Sequence, residues 1–229
     1  MTDEAAVVIG ATGGVGAAVV ERLRASGRYA VVHALSRSGT GLDLEDEATI
    51  AAAAGVVADG PPPTLAFVAT GVLHHGQAPE RTYRALTAEH LLRDYRVNTV
   101  GPALVARYFL PLLPRDRRAV FAALSARVGS IGDNRLGGWH AYRASKAALN
   151  MILTNLSIEL ARSHPQAVIA GLHPGTVDTG LSQPFQKGVS PERLFTPDRS
   201  AQALLAVLDG LTPADSGGVF AWDGVRVPA

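Results

Sequence analysis

Tyr142 and Lys146 stand four residues apart in Ala141-Tyr142-Arg143-Ala144-Ser145-Lys146-Ala147-Ala148-Leu149-Asn150, a stretch that reads as the start of a long helix. That spacing puts both side chains on one face, one turn above the other. A free tyrosine hydroxyl titrates near ~10 and exchanges protons poorly at neutral pH. A nearby ammonium stabilises the phenolate and lowers that value, so such a pair can hand a proton to a reacting oxygen or take one from it. The choice of lysine adds weight. Of 21 basic residues only Lys146 and Lys187 are lysines. A compact ammonium fits a tight site that a planar guanidinium does not. Taken alone, the pair is equally compatible with a surface tyrosine beside an ordinary helical neighbour.

The N-terminal stretch supplies a second piece of chemistry. Residues 5–9 form a short apolar run, consistent with a buried strand. A glycine loop, Gly10-Ala11-Thr12-Gly13-Gly14-Val15-Gly16, follows and opens a helix. Strand, glycine loop and helix in that order can hold a pyrophosphate on backbone amides and a helix N-terminus. Gly10, Thr12, Gly13, Gly14, Val15 and Gly16 are the candidates to hold it. The spacing G-x-x-x-G-x-G departs from the commoner G-x-G-x-x-G, and a tight turn is the bland alternative. The second strand, residues 29–36, ends at Ser36-Arg37-Ser38-Gly39, where a carboxylate would bind ribose hydroxyls. A guanidinium flanked by hydroxyls suits a 2′-phosphate instead, so NADP(H) is expected over NAD(H). Asp43, at the end of a clipped third strand over residues 41–44, could accept from an adenine amino group.

The rest of the chain alternates strands and helices. Helix is expected over residues 45–58, 87–113, 137–163 and 197–208; strand over 65–69, 118–125, 168–172 and 219–222. Thr87 caps the second of these helices, Pro102 is expected to kink it, and Asn98 sits in its middle with little local reason to be there. Ala69, Thr70 and Gly71 follow the fourth strand, and His173-Pro174-Gly175-Thr176-Val177-Asp178-Thr179 follows the sixth. Residues 181–196 read as a loop covering a substrate. The pattern is that of an α/β fold, a Rossmann-type doubly wound parallel sheet of about seven strands with helices on both faces. One domain over residues 1–229 accounts for it.

Composition narrows the function. With 47% hydrophobic and 18% charged residues the chain can bury a full core, and a net charge of +1 suggests neither a nucleic-acid nor a membrane-surface partner. The absence of cysteine excludes disulfides and thiolate chemistry. His74 and His75 are adjacent with no third ligand near, so no metal site is expected. Met1-Thr2-Asp3-Glu4 has no basic signal-peptide start, and no apolar run approaches the ~20 residues of a membrane span, which makes a cytoplasmic protein the expectation.

Together these motifs resemble the short-chain dehydrogenase/reductase family over nearly the whole chain. Gly10, Gly14 and Gly16 match its glycine motif, Tyr142 and Lys146 its Tyr-x-x-x-Lys pair, and Asn98 in Val97-Asn98-Thr99 its helix asparagine. Pro174-Gly175 through Thr179 match its P-G-x-x-x-T motif. Within the family, the short third-strand region, Gly129-Ser130-Ile131 and the segment Tyr142 to Asn150 resemble the C-factor and carbonyl-reductase-like branch. The resemblance implies hydride exchange with a small-molecule carbonyl or alcohol. Tyr142 would be the acid, Lys146 would hold the nicotinamide ribose, Asn98 a water, and Val177 and Thr179 the carboxamide. Phe185 and the few charges of the covering loop fit a small or apolar substrate.

Two departures stand out. Val68-Ala69-Thr70-Gly71 replaces the family's Asn-Asn-Ala-Gly. The catalytic serine is ambiguous in Leu124-Ser125-Ala126-Arg127-Val128-Gly129-Ser130. Counting back from Gly129 places Ala126 there; counting along the strand from Arg118 places Ser125, which is favoured, with Ser130 as fallback. A dinucleotide-binding regulatory or signalling protein on the same fold is the alternative reading. A sugar-nucleotide epimerase fits less well, because only about fifty residues follow Thr179. The two long helices carry apolar residues around nearly their whole circumference, so a homodimer or homotetramer pairing them is expected.

Overall fold

The computed structural model describes residues 3–74 and 78–229. Six parallel strands form the main sheet: β1 (Ala5–Ile9), β2 (Val31–Leu35), β3 (Pro63–Val68), β4 (Ala119–Leu124), β5 (Ala167–His173) and β8 (Val219–Ala221). Their spatial order is β2-β1-β3-β4-β5-β8. β1, β3 and most of β4 and β5 are buried residue by residue. That is why they read as continuous apolar runs: a parallel strand covered on both faces has no polar side.

Alternate side chains feed two cores. Val7, Ile9, Phe121 and Ile169 face one, which α3 (Glu47–Ala58), α5 (Gly101–Phe109) and α6 (His140–Leu160) cover with Ile50, Phe109, Leu149 and Leu153. Ala6, Val8, Phe67 and Leu172 face the other, covered by α1 (Gly14–Ala25) and α7 (Pro197–Gly210) through Val19, Leu23, Leu204 and Leu208. Because all strands run the same way, the loops after β1, β3, β4 and β5 gather at one edge of the sheet, where ligands of such folds lie.

Three expectations change. Residues 41–44 are not a strand. Leu42 and Leu44 are buried around Asp43, which mimics strand alternation, but their backbone is satisfied locally: Asp43 N–H donates to Thr49 Oγ1 at 2.9 Å and Glu45 N–H to Asp43 Oδ1 at 3.0 Å. The sheet therefore has six strands rather than seven, and only the one-turn α2 (Arg37–Thr40) lies between β2 and α3. The helix capped by Thr87 is interrupted just before Pro102. It runs as α4 (Ala88–Tyr95), widens into a π-helical turn over Arg96–Val100 and resumes as α5, with Pro102 in its first turn. Finally, β6 (Thr176–Val177) and β7 (Leu194–Phe195) pair in parallel and staple the base of the covering loop.

Candidate active site

A cavity of about 1030 Å³ opens at the strand ends. Thr12, Gly13, Gly14 and Val15 line one part of it, Ala69, Thr70 and Gly71 the next, and Lys146 and Tyr142 the floor. Pro174, Gly175, Val177 and Thr179 line the opposite wall. Ser36, Arg37 and Asp43 lie outside this lining. Ser36 is buried and its Oγ accepts the Gly39 N–H as the cap of α2, so it does not flank Arg37 as a second phosphate ligand. Arg37 is exposed, with no ion pair among the described residues. His74 meets Phe185 at a tilt with ring centroids 5.8 Å apart, and its Nε2 lies 3.0 Å from Gly180 O. His75 lies outside the described residues.

The glycine loop is shaped by close approach. Gly10 has φ of 87°, and a Cβ on Gly16 would lie 2.2 Å from Gly10 O. A Cβ on Gly14 would lie 2.5 Å from Thr179 Cγ2, so the loop and the Pro174–Thr179 segment touch. Gly13 caps α1 without a side-chain bond, and the first turn carries no acid, leaving its N–H groups free for an anion. Thr70 Oγ1 is a buried hydroxyl with no partner among the described residues. An open helix N-terminus, a side-chain-free cradle and an orphaned hydroxyl fit a dinucleotide.

α6 brings Tyr142 and Lys146 to the floor, 8% and 2% exposed. Lys146 Nζ donates to Leu124 O at 2.8 Å and lies 5.9 Å from the centre of the Tyr142 ring. Burial pulls the ammonium down to about 8, with Asp94 acting the other way. Burial, reinforced by Asp94, pushes the Tyr142 hydroxyl above its usual value. The shift runs opposite to the lowering expected from the lysine, and burial favours the protonated phenol.

Asn98, fully buried in the π-turn, clamps this floor. Its Oδ1 accepts from Val72 N–H at 2.8 Å, and its two amide hydrogens go to Val72 O at 2.9 Å and Ser145 Oγ at 3.0 Å. With both hydrogens committed, the side chain braces the loop after β3 against α6. A Cβ on Gly71 would lie 3.4 Å from Asn98 Oδ1 and 3.5 Å from Lys146 Nζ.

Sequence reasoning missed a buried polar cluster behind the floor. Glu80 is 4% exposed, and its carboxylate accepts the Ala141 N–H at 3.3 Å and lies 3.3 Å from His90 Nδ1. Asp94, raised to about 6 chiefly by burial, lies 4.0 Å from His90 Nε2. Trp139, the residue before α6, has φ of 50° and no side-chain cap, so a carboxylate from 61 residues away caps the helix that carries Tyr142. The His90–Asp94 spacing of four was the one sequence signal for it. His173, also on the cavity wall, is drawn down to about 4 by burial and is neutral at pH 7.

A family model described as short chain dehydrogenase matches residues 4–190. The chain belongs to the short chain dehydrogenase family. C-signal of Myxococcus xanthus is 37% identical over 139 residues, covering 60% of this chain and 78% of that protein. An uncharacterized oxidoreductase of Schizosaccharomyces pombe is 33% identical over 162 residues, 66% of this chain and 60% of that one. The chain therefore spans about three-fifths of the length of that relative. The crystal structure of NADPH-bound carbonyl reductase from chicken fatty liver superposes with a TM-score of 0.80 at 26% identity, covering 98% of both chains. Within this short chain dehydrogenase, the glycine loop, the Tyr142/Lys146 pair and the Pro174–Thr179 segment all meet at one cavity.

Proposed function

We propose that the protein is an NADP(H)-dependent oxidoreductase acting on a small or apolar carbonyl compound or the corresponding alcohol. The observation that carries this reading is Tyr142 and Lys146 buried on the floor of a cavity whose other end is the glycine cradle. Gly13, Gly14 and Val15 would hold the pyrophosphate, Lys146 the ribose, and Val177 and Thr179 the nicotinamide carboxamide. The bound nicotinamide supplies or accepts the hydride. Tyr142, kept protonated by burial, gives its proton to the substrate oxygen in reduction and recovers it in oxidation. Leu73, Val128, Trp139 and Phe185 give the substrate end an apolar and aromatic wall, which suits a substrate of that character. Consumption of NADPH with a panel of aldehydes and ketones tests the reading. Tight dinucleotide binding without turnover would instead favour a regulatory protein on the same fold.

Arg37 is the residue that selects NADP(H). It is exposed at the end of β2 and free of carboxylate partners among the described residues, as a ligand for a 2′-phosphate should be. Arg37→Ala should weaken NADPH binding by about 1.5–3 kcal/mol, the worth of a charged hydrogen bond, and leave NADH nearly untouched. Titration of both cofactors against the variant checks this; equal losses remove the 2′-phosphate role.

The same reading includes a two-fold dimer through the outer faces of α4 to α6. Leu92, Val100, Met151 and Ile158 are 59%, 46%, 61% and 57% exposed on these helices, apolar side chains that such a dimer would cover. Leu153 is not part of it, because at 1% exposure it belongs to the core. Sedimentation should give a dimer that Met151→Glu with Ile158→Glu dissociates without loss of helix content. A wild-type monomer of 23.8 kDa at micromolar concentration would rule the dimer out. Among the described residues no helix is long and apolar enough to cross a membrane.

A further inference from the structure

Two adjacent residues at the end of β4 point opposite ways, and this decides how a substrate oxygen is met. Ser125 continues the side of the strand that carries Ala119, Phe121 and Ala123, the side covered by α6. It reaches the cavity wall, but its hydroxyl is turned away: Oγ donates to Asn150 Oδ1 at 2.6 Å. Asn150 lies eight residues beyond Tyr142 on α6, about 12 Å along the axis. A Cβ on Gly171 would sit 3.5 Å from Ser125 Cβ and 3.2 Å from Leu153 Cδ1, so the serine is packed between sheet and helix. Ser130 is no substitute. It is 2% exposed, outside the cavity lining, with Oγ bonded to Ala229 O at 3.3 Å and accepting Asp133 N–H at 3.0 Å. Ala126, by contrast, packs directly with Tyr142 and Leu73, beside Val128, Trp139 and Phe185.

We infer that Ala126, and no serine, faces the substrate oxygen beside Tyr142, so this site favours carbonyl compounds that are already electron-poor. The inference rests on the oxidoreductase reading above. A donor aimed at a developing oxyanion is worth on the order of a hundredfold or more in rate. A site that offers a methyl group there leaves the charge to Tyr142 and to the substrate itself. Substrates whose substituents withdraw that charge lose least. Ser125 is then a structural residue, holding Asn150 and the α6 packing.

The test compares wild type, Ser125→Ala and Ala126→Ser with NADPH and benzaldehydes bearing withdrawing or donating ring substituents. Ser125→Ala should melt at lower temperature, because Asn150 loses a buried partner, yet keep turnover within about threefold. Ala126→Ser should raise turnover of unsubstituted benzaldehyde about tenfold or more and flatten the dependence on the ring substituent. A readout without turnover accompanies these: tyrosinate absorbance, taken as the difference from the same variant carrying Tyr142→Phe. A hydroxyl beside the phenolate lowers its titration midpoint, so Ala126→Ser should shift Tyr142 downward and Ser125→Ala should not move it. A fall in turnover of about a hundredfold in Ser125→Ala at normal melting temperature would overturn the inference. So would an Ala126→Ser that changes neither turnover nor the Tyr142 midpoint. A wild type inert toward every carbonyl removes the oxidoreductase reading instead, and the titration still decides which residue faces the hydroxyl.

Discussion

Tyr142→Phe is expected to give a protein that folds and binds NADPH as wild type does but has lost nearly all reduction of carbonyl compounds. The ring is held by packing alone: it contacts Leu73 and Ala126 and meets Trp139 edge-on at 6.4 Å. Phenylalanine keeps each of those contacts. The hydroxyl makes no hydrogen bond to protein among the described residues, so deleting it breaks no structural bond. What it removes is the proton. Lys146 would not replace it, because its ammonium is anchored on Leu124 O, 5.9 Å from the centre of the ring, and in the proposed site points to the ribose. Loss of a general acid costs on the order of a hundredfold to ten-thousandfold. Steady-state rates with a good aldehyde substrate, beside NADPH titration and a melting curve, separate the terms. Normal turnover in the variant would sink the acid-base assignment.

The site was legible wherever one motif occupied one element. The β1–loop–α1 unit, the Tyr142/Lys146 face of α6 and the Pro174–Thr179 turn are local patterns, and the fold brings all three to one cavity. What could not be read depended on partners distant in sequence. The end of β4 offered three candidates because both Ser125 and Ala126 come to the cavity wall, and only a tertiary partner shows where the hydroxyl is directed. Ser125 N–H continues the β5 pairing through Leu172 O, and its Oγ donates to Asn150 Oδ1 on α6. Leu42 and Leu44 imitate a strand because burial alternates, while no neighbouring strand accepts their backbone. Glu80 gave no sign of capping α6, since the contact spans 61 residues and the usual cap position holds Trp139. Asn98 looked misplaced in a helix for a good reason: the helix widens there, and the amide serves Val72 and Ser145 instead of its own turn.

Gly16→Ala is the second change with a large expected effect, and the cause is steric. A Cβ at this position would lie 2.2 Å from Gly10 O, 2.9 Å from Gly10 C and 3.1 Å from Ala69 Cβ. The first two are backbone atoms of a residue fixed at φ of 87°, so no rotamer change relieves the clash. Either α1 shifts along its axis or the turn after β1 opens. Both would move the unpaired first-turn amides of α1, Gly14 and Val15, from where they would cradle a pyrophosphate in the proposed site. Overpacking of this kind costs about 1–3 kcal/mol, and the same displacement should weaken dinucleotide binding by about tenfold to a hundredfold. Gly13→Ala is the steric comparison, because its Cβ would meet Gly10 O at 3.4 Å and nothing else nearby, leaving only the modest cost of alanine at the N-cap. Melting temperature should fall clearly more for Gly16→Ala than for Gly13→Ala. If both variants melt as wild type and Gly16→Ala binds NADPH normally, the close approach of α1 to the turn is not what shapes this cradle.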